Sequence, residues 1–169
     1  MKRKAALLLT VFLLFFTLSS CSDEPQVLPC RDVLSAMVQA ERSLTVGKYY
    51  TLAAHDGGDE YMTDELIALL FGNGSYPKAA DGWIDCALYL SLGESPMEFA
   101  IILCKNRDVA RDTAELLSCR LSAIKHTKNS PEYAEMLDSA GITLIGNYAF
   151  LIISSDTESV LRAAKRAIR

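Results

Sequence analysis

The chain has 169 residues, of which 17 are Lys or Arg and 21 are Asp or Glu, so its formal net charge at pH 7 is −4. An acidic balance argues against nucleic acid as a partner, because phosphate backbones are bound by basic surfaces. The length suits one domain of ordinary size, with enough chain to bury a hydrophobic core.

The first residues combine a basic start with an apolar run. Positions 2–4 are Lys, Arg and Lys, and residues 5–18 carry no charge. A membrane-spanning helix needs about 20 apolar residues, so this run fits a signal peptide better than a span. The sequence Leu-Ser-Ser-Cys that ends at Cys21 resembles the bacterial lipobox, in which the cysteine thiol receives a diacylglycerol before cleavage.

This pattern predicts removal of residues 1–20 and a lipid on Cys21, with the membrane as a partner and the outer face of the cytoplasmic membrane as the location. Each buried methylene of an acyl chain contributes about 0.8 kcal/mol to membrane binding. The alternative is an ordinary secretory signal that has Cys21 beside its cleavage site by chance. Residues 21–29, which include two prolines and two acids, are typical of a short tether, and residues 30–169 are predicted to form one globular domain.

The first half of this domain shows helical patterns followed by a strand hairpin. Apolar spacing predicts a helix over 31–44, closed by Gly47, and a glycine-containing acidic loop over 55–60. Thr63 is a predicted N-cap for a helix over 64–71.

Alternation of apolar and polar residues predicts strands over 84–92 and 97–104, joined by a four-residue turn. This register puts Cys86 and Cys104 on opposite faces, which argues against a bridge between them. The predicted pairs are Leu92 with Met97, Leu90 with Phe99, Leu88 with Ile101 and Cys86 with Leu103.

The second half repeats the order of helices followed by a hairpin. Asn106 is a predicted N-cap for a long helix, and Ser130 and Pro131 are predicted to begin another, which Gly141 ends. Strands are predicted over 142–145 and 148–154 around a type II′ turn at Gly146-Asn147, and a last helix is predicted from about Thr157 with Asp156 as its cap. The pattern predicts an α+β fold in which an antiparallel sheet of about four strands, in two hairpins, packs with helices.

Several local phrases stand out along this order of elements: Ile84 to Ser91, Glu98 to Lys105, Arg120, Tyr133, Gly146-Asn147-Tyr148 and Ser155-Asp156. Together with the order of elements, these phrases resemble a family of uncharacterised bacterial lipoproteins, the domain of unknown function 4358. The resemblance covers roughly 64–168 and the lipobox, and it implies the location and the fold but no catalytic residues. The cysteines at positions 86, 104 and 119 and the polar stretch 72–78 depart from the family pattern.

Catalytic and metal-binding patterns are weak, and we predict no catalytic residue, no metal and no cofactor. His55 and His126 lie far apart and lack a partner at metal-ligand spacing. The acids between Asp56 and Glu65 resemble a solvated loop and a helix start more than a cation site. Four cysteines besides Cys21 allow three connectivities, and both bridged and reduced states stay open; they are Cys30, Cys86, Cys104 and Cys119.

The last helix carries a basic stripe, which indicates either an ordinary docked helix or a surface for lipid headgroups. The stripe consists of Arg162, Lys165, Arg166 and Arg169.

We expect a lipid-anchored, non-enzymatic adaptor or accessory of another cell-envelope protein. The alternative is a lipoprotein that binds a small ligand or a cation, with Trp83, Tyr89 and Tyr61 as aromatic walls of its pocket. A third hypothesis is a hydrolase that uses one of the histidines.

Overall fold

A five-stranded antiparallel sheet forms the centre of the protein in a computed structural model that describes residues 27–52 and 61–169. Its order is β1-β2-β3-β5-β4, and every neighbouring pair is antiparallel. The predicted α+β class is confirmed. The strands are β1 (Gly47–Thr51), β2 (Trp83–Ser91), β3 (Glu98–Cys104), β4 (Gly141–Ile145) and β5 (Tyr148–Ile153).

Helices cover both faces of this sheet, so its central strands are buried on both sides. Two helices pack on one face: α1 (Cys30–Ala40) and α5 (Thr157–Ala167). Three pack on the other: α2 (Asp64–Phe71), α3 (Arg107–Thr127) and α4 (Ala134–Ser139). Short 3₁₀ turns at Lys78–Gly82 and Pro131–Tyr133 precede β2 and α4.

Three predicted helix caps are confirmed. The Thr63 hydroxyl accepts from the Leu66 N–H at 3.2 Å, at the start of α2. The Asn106 and Asp156 side chains accept from the N–H groups of Val109 and Ser159, at 2.9 and 3.0 Å, at the starts of α3 and α5. Each cap satisfies a backbone donor that the first helical turn leaves free.

The start of the helix predicted after Ser130 differs from the prediction. Ser130 makes no side-chain cap, and Pro131 begins the 3₁₀ turn that leads into α4. The turn after Ile145 matches its prediction, because Gly146 has φ 58° and Asn147 does not share this left-handed conformation. This combination is that of the type II′ turn.

The predicted register of the β2–β3 hairpin is wrong by one residue. Cys86 pairs with Ile102 and Leu88 with Ala100, where the prediction paired them with Leu103 and Ile101. The Ser91 N–H donates to the Met97 carbonyl, so the connection has five residues instead of four. Because helices bury both faces, both sets of alternating residues are apolar, and hydrophobicity alone did not fix the register.

The shift places Cys86 and Cys104 on the same face of the sheet, where the prediction placed them on opposite faces. They are diagonal neighbours across β2 and β3, and β2 has an irregularity between Trp83 and Asp85. Cα atoms of such diagonal pairs are typically about 7–8 Å apart, beyond the usual range of about 4.4–6.8 Å for a disulfide. All four described cysteines are free thiols.

Strand β1 was not predicted. Gly47 begins this strand, and α1 already ends at Ala40 instead of reaching Leu44. The predicted sheet of about four strands therefore has a fifth, which pairs with β2 along its whole length.

Different segments of the chain meet at the two ends of the sheet. At the tether end lie the start of β2, the end of β3 and the β4–β5 turn, joined by the hydrogen bond from the Cys104 N–H to the Asn147 carbonyl. At the distal end lie the β2–β3 connection and the residues before β1, joined by the hydrogen bond that the Leu92 N–H donates to the Val46 carbonyl. Within residues 27–52 and 61–169, no helix has both the length and the apolar character needed to cross a membrane.

Candidate functional site

The three aromatic residues predicted to wall a pocket do not come together. Trp83 packs edge-on against Phe71 on the face covered by α2 and α3, and its indole N–H donates to Thr113 at 2.9 Å. Tyr89 is buried on the opposite face. The sheet separates these two rings, so they cannot form the walls of one pocket. Tyr61 is 44% exposed and pairs with Thr51 in an isolated bridge.

Of the residues considered for proton transfer or metal binding, only some lie in the described part of the chain. His55 and the acids Asp56, Asp59 and Glu60 lie outside the described residues. His126 is exposed in the last turn of α3. In the described ranges, no three His, Cys, Asp or Glu residues form a group that could hold a metal ion.

Three of the four described thiols are buried. Burial raises the pKa of Cys30 and Cys86, and the nearby charge of Asp85 raises it further in both cases. Burial also raises the pKa of Cys104, whose sulfur lies 3.5 Å from the Thr113 hydroxyl. A protonated, buried thiol is a poor nucleophile, so these three cysteines act as small apolar core residues. Cys119 is exposed on α3.

Two buried carboxylates were missed as structural features by sequence reasoning. The first, Glu98 at the start of β3, accepts two hydrogen bonds from the Arg120 guanidinium of α3, at 3.1 and 2.8 Å. Burial raises the pKa of Glu98, and the hydrogen bonds and charge of Arg120 offset part of this rise. The sequence held two signals for this ion pair. One is a charged residue at the start of an apolar strand, and the other is an arginine within a helix.

The second is Glu41, which follows α1. It accepts hydrogen bonds from the Ser154 and Ser155 hydroxyls, both at 2.5 Å, and from the Ser43 N–H at 2.9 Å. Burial alone would raise the pKa of Glu41, but these hydrogen bonds outweigh it and leave the pKa lowered. The carboxylate thereby ties the end of α1 to the junction between β5 and α5. No sequence motif links positions 41 and 154.

These carboxylates are held by structural partners, and the same is true of the other buried polar side chains. Among the described residues, no buried side-chain nitrogen or oxygen lacks a hydrogen-bond partner. The described core therefore has no unsatisfied polar group aimed at a missing ligand.

The chain enters the domain at the tether end. Leu28 packs on the same face of the sheet as α1 and α5, and its carbonyl accepts from the Tyr148 hydroxyl at 2.9 Å. The Cys30 N–H donates to the Asp85 carboxylate at 2.7 Å. These two hydrogen bonds fix where the segment that follows Cys21 joins the fold.

Two clefts run along the outer surface of α5. The first, of about 340 Å³, is polar and lies between α1 and α5, where three arginines meet: Arg42, Arg162 and Arg166. The second, of about 510 Å³, lies at the tether end and is lined partly by Val27, Lys165, Ile168 and Arg169. The basic stripe predicted for the last helix therefore contributes to both clefts.

The distal end exposes an apolar patch. Val46 is 79% exposed, Leu92 is 49% exposed and Leu44 is 40% exposed. The hydrogen bond between Leu92 and Val46, of 2.8 Å, keeps two of these residues adjacent. Contiguous exposed apolar surface is typical of contact sites for other proteins. We call these three residues the distal patch.

Comparison with known proteins finds no match among protein-family models, curated proteins or solved structures.

Proposed function

We propose that this protein is anchored by a lipid on Cys21 to the outer face of the cytoplasmic membrane and serves there as a non-enzymatic accessory of another envelope protein. The observation that carries the proposal is the Leu18 to Cys21 sequence after a basic start and an apolar run. A thiol in that position is the acceptor for a diacylglycerol, and the attached chains hold a protein firmly in a bilayer.

The entry point of the chain supports a position close to the membrane. Only five residues, 22–26, lie between Cys21 and Val27, where the described domain begins, so six residue steps join the two. At about 3.3–3.6 Å per residue, this segment reaches at most about 20 Å. The tether end of the domain would therefore stay near the bilayer, and the distal patch, at the other end of the sheet, would lie farther from the anchor.

The distal patch supports the accessory role. Val46, Leu92 and Leu44 expose their side chains where a second envelope protein can cover them. The resemblance to the domain of unknown function 4358 is part of this proposal as well. It is supported by the element order from β2 to α5, and it adds location and fold without adding a reaction.

Crosslinking in intact cells tests the proposal. The full chain carries an affinity tag, and a Cys21→Ala variant serves as the control; the recovered material is identified by mass spectrometry. We expect an envelope protein that is recovered in constant ratio with the wild type and is lost in the control. Equal recovery from both, or no enriched protein, would contradict the accessory role and would make small-ligand binding the next hypothesis to test.

A further inference from the structure

The surface formed by α1, α5 and the residues directly after them carries an excess of basic side chains. We call it the cationic face. Its exposed basic residues are Arg31, Arg42, Arg162, Lys165, Arg166 and Arg169, and its exposed acids are Asp32 and Glu158. Glu158 pairs with Arg162 at 2.8 Å. Hydrogen bonds with Ser159 lower the pKa of Asp156 at the start of α5, and the nearby charges of Arg42 and Arg162 lower it further.

The opposite layer has no such excess. On α3, three exposed basic side chains are balanced by three exposed acidic ones, and Arg111 pairs with Asp108 at 2.9 Å. The first turn of α2 adds two exposed acids, Asp64 and Glu65. The positive potential of the described domain is therefore concentrated on one side of the sheet, and this side can face an anionic surface.

The shape of the cationic face suits phosphate groups. In the cleft between α1 and α5, Arg42, Arg162 and Arg166 line one recess of about 340 Å³ together with Gln39 and Ser159. Guanidinium groups bind phosphate oxygens through paired hydrogen bonds. The second cleft joins two cations to exposed apolar surface, which is the combination that interfacial helices present to headgroups.

The tether reaches the domain on this same side. Leu28 belongs to the apolar cluster under α1 and α5, and Tyr148 fixes its carbonyl there. A domain of this size is roughly 35–40 Å across, which exceeds the reach of about 20 Å between Cys21 and Val27. A membrane anchor at Cys21 would therefore bring the cationic face to the bilayer more readily than the α3 side.

We propose that the cationic face lies on the anionic headgroups of the membrane that holds the protein. This inference rests on the proposed lipid anchor. It assigns an orientation to the domain: α1 and α5 contact the lipid, α3 faces away from it, and the distal patch stays accessible to a protein partner.

The test measures how close each side of the full chain comes to lipid headgroups. The protein, extracted from membranes, is placed in vesicles of equimolar phosphatidylglycerol and phosphatidylcholine with a quencher on some headgroups. A fluorophore is attached either to the native exposed Cys119 on α3 or to a cysteine introduced by Gln39→Cys in a Cys119→Ser background. The quenching at position 39 is compared with the quenching at position 119.

We expect much stronger quenching at position 39 than at position 119, and a smaller difference in vesicles of phosphatidylcholine alone. One basic residue near an anionic surface shifts the preference of the bilayer for the cationic face over the α3 side about five-fold. Arg162→Glu with Arg166→Glu should therefore reduce this preference by about 25-fold or more. The matched control, Arg107→Glu with Arg111→Glu on α3, changes the charge equally and should leave the preference unchanged. The fluorescence of Trp83 verifies folding in each variant.

Equal quenching at positions 39 and 119 would overturn the proposed orientation. It would also be overturned if both pairs of charge reversals reduced the difference in quenching between these positions equally. The mass of the N-terminal peptide, measured on the same sample, reports separately on the lipid at Cys21. A chain without that lipid would contradict the anchor, while the two fluorophores would still report which side contacts the vesicles.

Discussion

Buried carboxylates with dedicated partners hold the helices of this protein to its sheet. Glu98 is almost fully buried, and the guanidinium of Arg120 is its bidentate partner. Removing one member of a buried ion pair leaves a charge without compensation, whereas removing both can be nearly neutral. The Glu98–Arg120 pair therefore stabilises the fold mainly because each member requires the other.

Replacing Arg120 alone should be strongly destabilising. For Arg120→Met we expect a loss of about 3–5 kcal/mol in the free energy of unfolding, measured by urea denaturation, and a recovery of most of it in the double variant with Glu98→Met. Arg111→Met, which breaks the exposed pair with Asp108, is the control and should cost about 0–1 kcal/mol. A double variant as unstable as Arg120→Met would contradict this account of the pair.

Glu41 should make stability depend on acid. The pKa of Glu41 is lowered in the folded protein, so its ionised form stabilises the fold. This stabilisation is complete at pH values above the pKa of a glutamate in the unfolded chain, about 4.3. It is lost as the pH falls through the pKa of Glu41 in the folded protein. Glu41→Gln should cost about 1–3 kcal/mol at pH 7, and the difference from wild type should shrink below about pH 4. Urea denaturation at both pH values measures it, and a difference independent of pH would show that the Glu41 charge has no role.

At the scale of elements, the edge strand β1 depends on a close approach at its first residue. A Cβ atom built on Gly47 would lie 2.4 Å from the Tyr89 ring and 2.6 Å from the Leu90 carbonyl oxygen. The Tyr89 ring is held in place by stacking on Phe99 at 5.6 Å and by its hydroxyl, which donates to the Thr45 carbonyl. Only glycine fits here without displacing the ring.

Gly47→Ala should therefore destabilise the protein by about 1–3 kcal/mol, as overpacking does. Gly141→Ala is the matched control, because Gly141 also begins an edge strand and a Cβ there would meet nothing within 4 Å. That variant should stay within about 0.5 kcal/mol of wild type in thermal or urea denaturation. Equal losses in the two variants would contradict the steric explanation.

Short-range sequence patterns predicted most of the helices and strands, but they did not predict how the strands β2 and β3 pair. Helix starts were predictable because an N-cap is a short-range hydrogen bond that needs only neighbouring residues, as at Thr63, Asn106 and Asp156. The β2–β3 register requires knowing which face is buried, and here both are. The short strand β1 has only three strand-favouring residues, Tyr49 to Thr51, after Gly47 and Lys48, so its pattern is too short to mark a strand without its pairing to β2.

The candidate surfaces were harder to predict than the fold. The basic residues of the last helix were visible as a stripe, but Arg42 joins them only because α1 packs against α5. The distal patch combines Leu44 and Val46 with Leu92, which is distant in sequence and adjacent only through pairing at the sheet end. Trp83 and Tyr89 were predicted to be walls of one pocket because sequence spacing does not show that the sheet lies between their rings.

At the scale of the whole molecule, the proposals give the domain a lipid-facing side and a partner-facing end. Val46→Asp places a charge in the distal patch and should reduce the crosslinked yield of the envelope partner about ten-fold, because buried charge is costly in an interface. Leu69→Asp is the control, since Leu69 is 69% exposed on α2, away from this patch. Equal yields from Val46→Asp and wild type would exclude the distal patch as the contact.

The lipid on Cys21 is the claim on which location, orientation and partner access all depend. The most direct measurement is the mass of the N-terminal peptide of the protein extracted from cell membranes. We predict a peptide that begins at Cys21 and carries a diacylglycerol, together with its absence in Cys21→Ala. A peptide that begins elsewhere, or an unmodified Cys21 in the membrane fraction, would contradict the account.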